Sequence, residues 1–247
     1  MIIDAHAHYG GIRVMVFSDQ QMIDAMDRYG IEKSLMSATA ALAGDDRGGN
    51  DALYRMIKKY PKRIIGYCVP NPFRKPLEEL KRCLDLGFRG VKLHPYGAGL
   101  PLDNRLYWPV YEEAQRRKLP LLFHTGGSLI NPDLRFTTPE MIIRTAKQYP
   151  EVSFIAGHMG LERWLDLVNV APQVKNLYLD ITMSMPTVER IEMSVRAIGA
   201  GKVLFGSDMP LLNPAVPIGL IEEADISDEA REMILWRNIS NLLTEVN

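Results

Sequence analysis

Cysteine is scarce in this sequence, and the two cysteines present, Cys68 and Cys83, do not form a CxxC pair. A disulfide framework or a thiolate metal site needs more cysteines at closer spacing. The scarcity therefore argues against a disulfide-stapled extracellular fold. We expect two structural thiols in a reducing compartment, and hence a cytoplasmic protein.

An excess of one charge sign is also missing, because 29 Lys and Arg residues stand against 30 Asp and Glu residues. Without a basic surplus there is no field to attract a phosphate backbone, which argues against nucleic acid as a partner. Runs of about 18 apolar residues, as a membrane-spanning helix requires, do not occur, and no basic segment precedes the short apolar run at the N-terminus. We therefore expect no membrane association.

What the sequence does contain is a regular alternation of short apolar runs and longer segments of helical periodicity. The candidate strands are MIID (1–4), KSLMS (33–37), RIIGYCV (63–69), RGVKLH (89–94), PLLFH (120–124), VSFIA (152–156), LYLDI (177–181) and KVLFG (202–206). No linker rich in Ser, Gly or Pro and no low-complexity tract interrupts the series. The pattern predicts one α/β domain over residues 1–247 with a parallel sheet.

Helix start signals lie between these strands. Ser18 followed by Gln21 matches a capping box, Thr138 precedes Pro139, and Asn50 precedes the segment DALYRMIKKY. Each signal predicts the first turn of a crossover helix. The segment DEAREMILWRNISNLL near the C-terminus predicts a closing pair of helices.

All five histidines lie at or just after the C-terminal end of a predicted strand. These are His6 and His8 after the first strand, His94 and His124 ending the fourth and fifth, and His158 after the sixth, with Asp208 following the eighth. In an open sheet numbered in sequence, the first and last strands would lie about 34 Å apart, at about 4.8 Å per strand. A closed barrel brings them together at one mouth, where barrel enzymes build their active sites. We therefore predict a closed (β/α)8 TIM barrel.

The histidine pair at the N-terminus suggests metal binding. His6 and His8 are two residues apart, so in a regular strand both point to the barrel axis while Ala5 and Ala7 point away. Neutral imidazoles combined with a carboxylate are typical ligands of Zn, Mn, Fe or Ni ions. Such a pair alone is weak support, because strand-end histidines also occur satisfied within a core. Together with the other strand-end histidines and the late aspartate, it predicts a catalytic metal site.

The order of these motifs resembles the amidohydrolase superfamily, in particular the amidohydrolase-2 group of metal-dependent hydrolases and decarboxylases. The matching motifs are DAHAH (4–8), GVKLHP (90–95), FHTG (123–126), GHMG (157–160), GSDMP (206–210) and NISNLL (238–243). The resemblance covers nearly the whole chain and implies one divalent metal ion, expected to be zinc, with manganese, iron or nickel as alternatives. The implied ligands are His6, His8, His124 and Asp208. His158 is then expected beside the metal-bound water or the reacting group.

Two residues of the fourth strand, Lys92 and His94, share a face and are expected to contact substrate. We favour Lys92 as a cation that holds an anionic substrate, over a carboxylated lysine that bridges two metal ions as in binuclear amidohydrolases. A lysine that closes the barrel bottom is an equally simple interpretation. His94 either contacts substrate or supports the ligands, and Asp180 either supports a ligand or caps the next turn.

Two other barrel families fit these motifs less well than the amidohydrolase-2 group. TatD-type barrels usually carry a glutamate at the fourth strand, and polymerase-and-histidinol-phosphatase barrels need more late histidines, so both fit less well. Loop residues after the strands, among them Arg13, Arg47 and Ser128, are candidates for substrate specificity.

Our main expectation for the reaction is hydrolysis of an amide, lactone or ester by a metal-activated water, with Asp208 as general base and the carbonyl polarised by the metal or by His158. The alternative is a metal-dependent, non-oxidative decarboxylase of an aromatic or unsaturated carboxylic acid, because the same family ligand set also cleaves carbon–carbon bonds. The chain lacks long inserted loops, which favours the hydrolase. A non-catalytic metal-binding barrel and a metal-independent lactonase stay open, as do homo-oligomerisation and the identity of the small-molecule substrate.

Overall fold

The structure is a computed structural model that describes residues 1–11, 16–127, 133–182, 187 and 189–246. Its centre is a sheet of eight parallel strands in the order β1 to β8. The strands are β1 Ile2–Tyr9, β2 Ile31–Ala38, β3 Ile64–Cys68, β4 Gly90–Leu93, β5 Pro120–His124, β6 Ser153–Gly157, β7 Leu177–Asp180 and β8 Val203–Leu204. All of the predicted strands are confirmed, although β1 continues to Tyr9 and so contains both histidines of its motif.

The sheet curls until its first and last strands meet. The backbone N–H of Ala5 donates to the carbonyl of Phe205 at 2.9 Å, and that of His8 donates to the carbonyl of Met209 at 2.7 Å. A parallel bridge between Ala7 and Met209 lies beside these bonds. The predicted (β/α)8 barrel is therefore confirmed, and the histidines of β1 lie next to the segment that follows β8.

Helices surround the barrel between successive strands. They are α1 Asp19–Arg28, α2 Thr39–Leu42, α3 Asp46–Lys59, α4 Pro76–Asp85, α5 Pro95–Ala98, α6 Trp108–Arg117, α7 Pro139–Gln148, α8 Trp164–Val170, α9 Arg190–Ile198, α10 Ala215–Glu223, α11 Asp228–Glu232 and α12 Asn238–Thr244. The capping box of Ser18 and Gln21 on α1 and the Thr138 cap of α7 are confirmed. Within the described ranges, no helix combines the length and apolar character needed to cross a bilayer.

The prediction that Asn50 precedes a helix is wrong. The α3 helix begins at Asp46. The carboxylate of the preceding residue, Asp45, accepts the backbone N–H of Gly48 in the first turn of α3. Asn50 is buried within α3, where its amide exchanges hydrogen bonds with the backbone of Val69 and donates to Glu79. The amide is engaged by a neighbouring strand and helix, so it ties α3 to the end of β3.

The C-terminal segment does not form the predicted pair of separate helices. The α11 helix, a wider π-helical turn over Met233–Arg237 and α12 follow one another directly. The residues at the two junctions, Met233 and Asn238, both have right-handed helical backbone torsions, so nothing breaks the run. The C-terminal segment is therefore one continuous helix with a widened turn.

One apolar cluster fills the barrel interior. It gathers buried side chains from β1, β2, β3, β5, β6 and β8, and side chains from so many strands can meet only inside the barrel. Its members include Leu35, Leu122, Ile155 and Leu204. Ile239 and Leu242 of α12 join this cluster and close the barrel at the end away from the histidines.

The inner face of β1 is irregular. Its register against β2 shifts between Asp4 and Ala7. Ala5 consequently packs in the inner cluster, while Ala7 packs in the larger cluster between sheet and helices. The expectation that both alanines point away from the axis is therefore wrong for Ala5, because a strand with a bulge does not keep the strict alternation of a regular one.

Candidate metal centre

The sequence-predicted site residues come together at the C-terminal end of the barrel. His6, His8, Lys92, His158 and Asp208 are buried, and His94 and His124 are partly exposed. The ring centres of His6 and His158 lie 4.9 Å apart, those of His124 and His158 4.7 Å, and those of His94 and His124 4.1 Å. The strand-end pattern thus gathers all five histidines of the chain into one cluster.

Both imidazoles of β1 are held through Nδ1. The Nδ1 of His6 lies 2.6 Å from Oδ2 of Asp180, and the Nδ1 of His8 lies 3.1 Å from Oγ of Ser37. A partner at Nδ1 orients the ring and leaves Nε2 as the nitrogen that can bind a metal ion. The Nε2 atoms of His6 and His8 lie 3.6 Å and 2.9 Å from Oδ1 of Asp208.

Asp180 makes both of the contacts that the sequence left as alternatives. Its Oδ2 contacts His6, and its Oδ1 accepts the N–H of Thr182 at 2.6 Å, at the turn after β7. Gly206 makes this packing possible, because a Cβ there would lie 2.6 Å from Oδ1 of Asp180 and 2.9 Å from Cβ of His6. The glycine of the GSDMP motif therefore lets β8 approach the histidine and its carboxylate partner closely.

The carboxylate of Asp208 fits a metal ion. Its Oδ1 is buried, and its described neighbours at 2.9 Å and 3.6 Å are Nε2 of His8 and of His6, the nitrogens that can themselves bind a metal ion. A buried carboxylate is costly unless positive charge lies nearby. Burial would raise the pKa of Asp208, but the neighbouring imidazole of His8, and further those of His158 and His6, hold it below its usual value. His6, His158 and Asp208 each offer a ligand atom, all within 4.8 Å of one another. This donor set can hold a single divalent metal ion.

Four of the imidazoles, those of His6, His94, His124 and His158, are held in their neutral form, which is the form that binds metal ions. Burial lowers the pKa of His6, His94 and His124 well below the usual value, and it lowers the pKa of His158 to about 4. The nearby charge of Lys92 adds to this effect at His6. These four imidazoles therefore do not have to release protons at neutral pH before a cation binds.

Lys92 points into the polar cluster and not towards the opposite end of the barrel. It is fully buried, its Nζ lies 2.8 Å from Nε2 of His6, and burial lowers the pKa of Lys92 to about 8. The amine therefore faces the ring nitrogen that Asp180 leaves free on His6.

His124 occupies the next layer of the cluster. Its Nε2 lies 2.9 Å from the carbonyl of Gly127, and its Nδ1 lies 3.1 Å from Nε2 of His158. The carbonyl contact leaves Nδ1 as the nitrogen that faces the other histidines. His94 stacks on His124 and accepts the N–H of Gly97 through Nδ1 at 3.0 Å. The assignment of His124 as a metal ligand stays a prediction.

The backbone after β6 is strained where it enters the site. His158, Met159 and Leu161 have φ values of 60°, 57° and 47°, and Gly160 between them has 92°. A left-handed conformation costs a residue other than glycine about 1 to 3 kcal/mol and persists only where the surroundings enforce it. Thr125, which is fully buried, accepts the N–H of Gly160 at 2.8 Å. This segment is therefore held in place from β5.

Asp4 joins the two segments that carry the central donors. Its Oδ1 accepts the backbone N–H groups of His6 and Ser207, each at 3.0 Å, and the Ser207 hydroxyl donates to its Oδ2. Asp4 therefore has a structural role between these two segments. Ser37 and Ser207 were not singled out, although Ser37 lies near the C-terminal end of β2, which is the signal that identified the histidines. Of the loop candidates, Arg13 and Ser128 lie outside the described residues.

A cavity of about 260 Å³ opens beside Lys92 and His94. Its other walls are mostly apolar and come from the segments after β2 and β3. They include Ala41, Leu42, Val69, Pro70 and Phe73. The cavity therefore combines a cation and an imidazole at one end with apolar walls, as small-molecule sites commonly do.

Fold and donor set together define the class of metal-dependent (β/α)8 barrels with a site at the C-terminal mouth. The chain belongs to the amidohydrolase family Amidohydro_2, whose profile matches residues 3–243. The resemblance inferred from the motifs is thereby confirmed.

Similar proteins include decarboxylases and a hydratase. The chain is 25% identical to γ-resorcylate decarboxylase of Polaromonas sp. strain JS666, over 93% of this chain and 88% of that enzyme. It is 26% identical to 2-keto-4-carboxy-3-hexenedioate hydratase of Sphingobium sp. strain SYK-6, over 65% of this chain and 57% of the hydratase. A solved dihydroxybenzoic acid decarboxylase from Polaromonas sp. JS666, with bound manganese and 2-nitroresorcinol, superposes with a TM-score of 0.80 at 22% identity over 98% and 96% of the two chains.

These similarities overturn the main expectation for the reaction. Hydrolysis of an amide, lactone or ester was expected, but the relative that aligns with 93% of this chain is a decarboxylase. That decarboxylase carries insertions that this chain lacks, because the alignment runs over 291 positions although it includes only 93% of a 247-residue chain. The family profile nevertheless matches residues 3–243, so the fold does not require those insertions, and their absence does not identify a hydrolase.

Proposed function

We propose that this protein is a metal-dependent, non-oxidative decarboxylase of a small aromatic or unsaturated carboxylic acid. The observation that carries the proposal is the cavity whose apolar walls end at Lys92 and His94, next to the imidazole and carboxylate cluster. A planar acid suits such a cavity, because its ring packs on the apolar walls and its anionic groups face the cation. The similarity to γ-resorcylate decarboxylase supports the same class of substrate. We also propose that residues 1–247 form one domain.

The proposed metal ligands are His6, His8, His124 and Asp208. For His6, His8 and Asp208 the support is the buried Oδ1 of Asp208 and the two β1 imidazoles whose Nε2 atoms face it. His124 is included on the family resemblance. A divalent ion held there would stabilise negative charge on the substrate oxygens as the carboxylate leaves. The manganese in the similar dihydroxybenzoic acid decarboxylase favours manganese over the expected zinc, since both suit imidazole and carboxylate ligands.

The reaction needs a proton at the carbon that loses the carboxylate. When the bond between that carbon and the carboxyl carbon breaks, its electron pair stays on the carbon and carbon dioxide leaves. A proton then completes the new C–H bond, so no water is consumed. We propose that Asp208 and His158, which offer atoms within 4.8 Å of each other, relay this proton from solvent to the carbon as a pair.

Lys92 and His94 are the proposed substrate contacts. The buried ammonium of Lys92 compensates an anionic carboxylate or phenolate, and the stacked ring of His94 extends the wall on which an aromatic ring packs. We propose a single metal ion per chain and an unmodified Lys92. Metal analysis that finds two equivalents, together with crystallographic density for a carboxylated Lys92, would contradict this proposal.

The test is turnover of aromatic acids by the manganese-loaded protein in deuterium oxide. We expect 2,6-dihydroxybenzoate or a related hydroxybenzoate to release carbon dioxide and to yield a product with one deuterium on the former carboxyl-bearing carbon. Chelation should abolish the reaction, and manganese should restore it. Parallel incubation in ¹⁸O-labelled water should leave the product unlabelled.

The labels separate decarboxylation from addition of water. A product that gains ¹⁸O and keeps its carboxylate would contradict the proposal and indicate a hydratase instead. Absence of turnover across hydroxylated, methoxylated and unsaturated acids by fully metal-loaded protein would also contradict it.

A further inference from the structure

Arg190, the first residue of α9, is buried although it is a cation. Its Nη2 donates to the backbone carbonyl of His158 at 3.1 Å, and its Nε lies 3.2 Å from Sδ of Met159. Its guanidinium carbon lies 5.1 Å from the ring centre of Trp164. Among the side chains that the structure describes, none of these direct partners carries a negative charge. A buried arginine is usually placed to pair with a carboxylate, so this one calls for another explanation.

The contacts of Arg190 converge on the strained segment after β6. His158 and Met159 are two of the residues with positive φ, and Arg190 contacts one through its carbonyl and the other through its sulfur. Thr125 holds the same segment from the other side through Gly160. A left-handed turn of residues other than glycine is thus fixed from β5 and from α9 at once.

This turn sets the direction of the His158 side chain. The His158 ring lies 4.9 Å from that of His6 and 4.7 Å from that of His124, in the middle of the cluster. If the backbone relaxed to an ordinary conformation, the Cα–Cβ bond of His158 would point elsewhere. The position of the imidazole therefore depends on whatever keeps its backbone left-handed.

We infer that Arg190 is a positioning residue, which holds the backbone of His158 and Met159 in the left-handed conformation and so keeps the His158 imidazole against the metal centre. The inference rests on the proposed function only where it links His158 to turnover. The planar guanidinium suits this task because it presents several N–H donors in fixed directions, and two of them reach two different acceptors. A lysine ammonium is a single point charge that can replace one of these contacts.

The test compares Arg190→Met, Arg190→Lys and a control, Arg82→Met, in the manganese-loaded protein. Arg82 on α4 is partly buried and binds Glu79 and Asp51 at 2.7 Å and 2.6 Å, so its loss should cost stability. Crystal structures, kcat, KM and metal content are measured for each variant. For Arg190→Met we expect a displaced His158 ring and a loss of about 10²-fold in kcat, as for a misplaced catalytic group, with KM and metal content nearly unchanged.

The control and the conservative variant separate positioning from general stability. Arg82→Met should lower the unfolding midpoint while kcat stays normal, and Arg190→Lys should recover part of the lost kcat through the His158 carbonyl. If Arg190→Met does not fold, Arg190→Gln, which is polar but too short to reach that carbonyl, replaces it with the same expected displacement.

An undisturbed His158 ring in either neutral variant overturns the inference, as does an equal loss of kcat in Arg82→Met. A lysine variant as impaired as the methionine variant also overturns it. The crystallographic result does not depend on any substrate, so failure of the proposed decarboxylase activity would be recognised separately.

Discussion

The barrel interior has two layers of opposite character, although both are built on the same strands. Leu122 of β5 belongs to the apolar layer, and His124 on the same strand belongs to the polar cluster two residues further on. On β6, Ile155 lies in the apolar layer and His158 follows the strand into the cluster. Within each strand, two or three positions thus separate a layer that stabilises the fold from one that could perform chemistry.

The layers differ in what they contribute to the free energy of folding. Each fully buried leucine or isoleucine of the apolar layer stabilises the fold by about 1.5 to 3 kcal/mol. The polar layer buries an ammonium, imidazoles and carboxylates, each of which loses hydration, and it holds His158 and Asp208 at φ values of 60° and 58°. The apolar layer therefore contributes favourable free energy of folding, and the polar layer lowers the net stability of the fold.

The sharpest test of this division is Asp208→Asn, which keeps the shape of the side chain but removes its charge. If Asp208 and His158 share the catalytic proton as proposed, kcat should fall by about 10² to 10⁴-fold, while three imidazoles retain most of the metal. Steady-state kinetics and elemental analysis of the same preparation measure both quantities. A variant with near-normal kcat would show that Asp208 does not carry the proton and would leave His158 as the leading candidate.

In the apolar layer we expect the opposite outcome, a loss of stability with normal kcat. Leu242 of α12 is buried at the closed end of the barrel. Leu242→Ala should lower the free energy of unfolding by about 2 to 5 kcal/mol, because it leaves a cavity that the rigid barrel cannot fill. Urea unfolding measures this loss, and kcat at a temperature where the variant is folded should be unchanged. A large loss of kcat would contradict this division, because it would show that the apolar layer and the polar layer are not independent.

The same division explains what the sequence could predict. Strands and their order were predictable, because buried β-branched runs alternate with amphipathic segments throughout the chain. The histidines and Asp208 were predictable as one cluster, because a side chain at the C-terminal end of a parallel strand has only the barrel mouth to enter. The family resemblance then supplied roles that spacing alone does not contain.

The remaining features depend on contacts between distant segments. Asn50 looked like a helix cap, but it lies inside α3 because its amide bonds to Val69 and Glu79, which no local pattern reveals. The role of Arg190 depends on its reach from α9 to the turn after β6. The hydrolase expectation failed for a related reason, because one ligand set serves several reactions and the substrate cavity is formed by loops without a motif.

A smaller effect is expected for the carboxylate that orients His6. Asp180→Asn keeps the acceptor for the N–H of Thr182 but weakens the contact to Nδ1 of His6. Loss of such a partner typically lowers metal affinity by about 10 to 100-fold, so we expect that shift in a manganese titration. Asp27→Asn, which removes an exposed partner of Arg63, is the control and should leave the affinity unchanged. Equal affinities in both variants would mean that Asp180 does not support the metal site.

The smallest effect concerns an ion pair outside both layers. Glu113 on α6 is buried, and its pKa is lowered from 4.5 to about 2. The main cause is the hydrogen bond from Arg116, and the hydrogen bond from Arg117 acts in the same direction, whereas burial acts against both. Because the folded pKa lies below the unfolded one, the stabilisation is present above about pH 4.5 and is lost as the pH falls towards about 2. The exposed Arg116 limits its size to about 1 kcal/mol. Glu113→Gln should therefore lower stability at pH 7 by that amount, with a smaller difference from the parent protein near pH 3 and in high salt, and with normal kcat. A difference in unfolding free energy that stays constant from pH 7 to pH 3 would show that lost packing of the glutamate, and not its charge, is responsible.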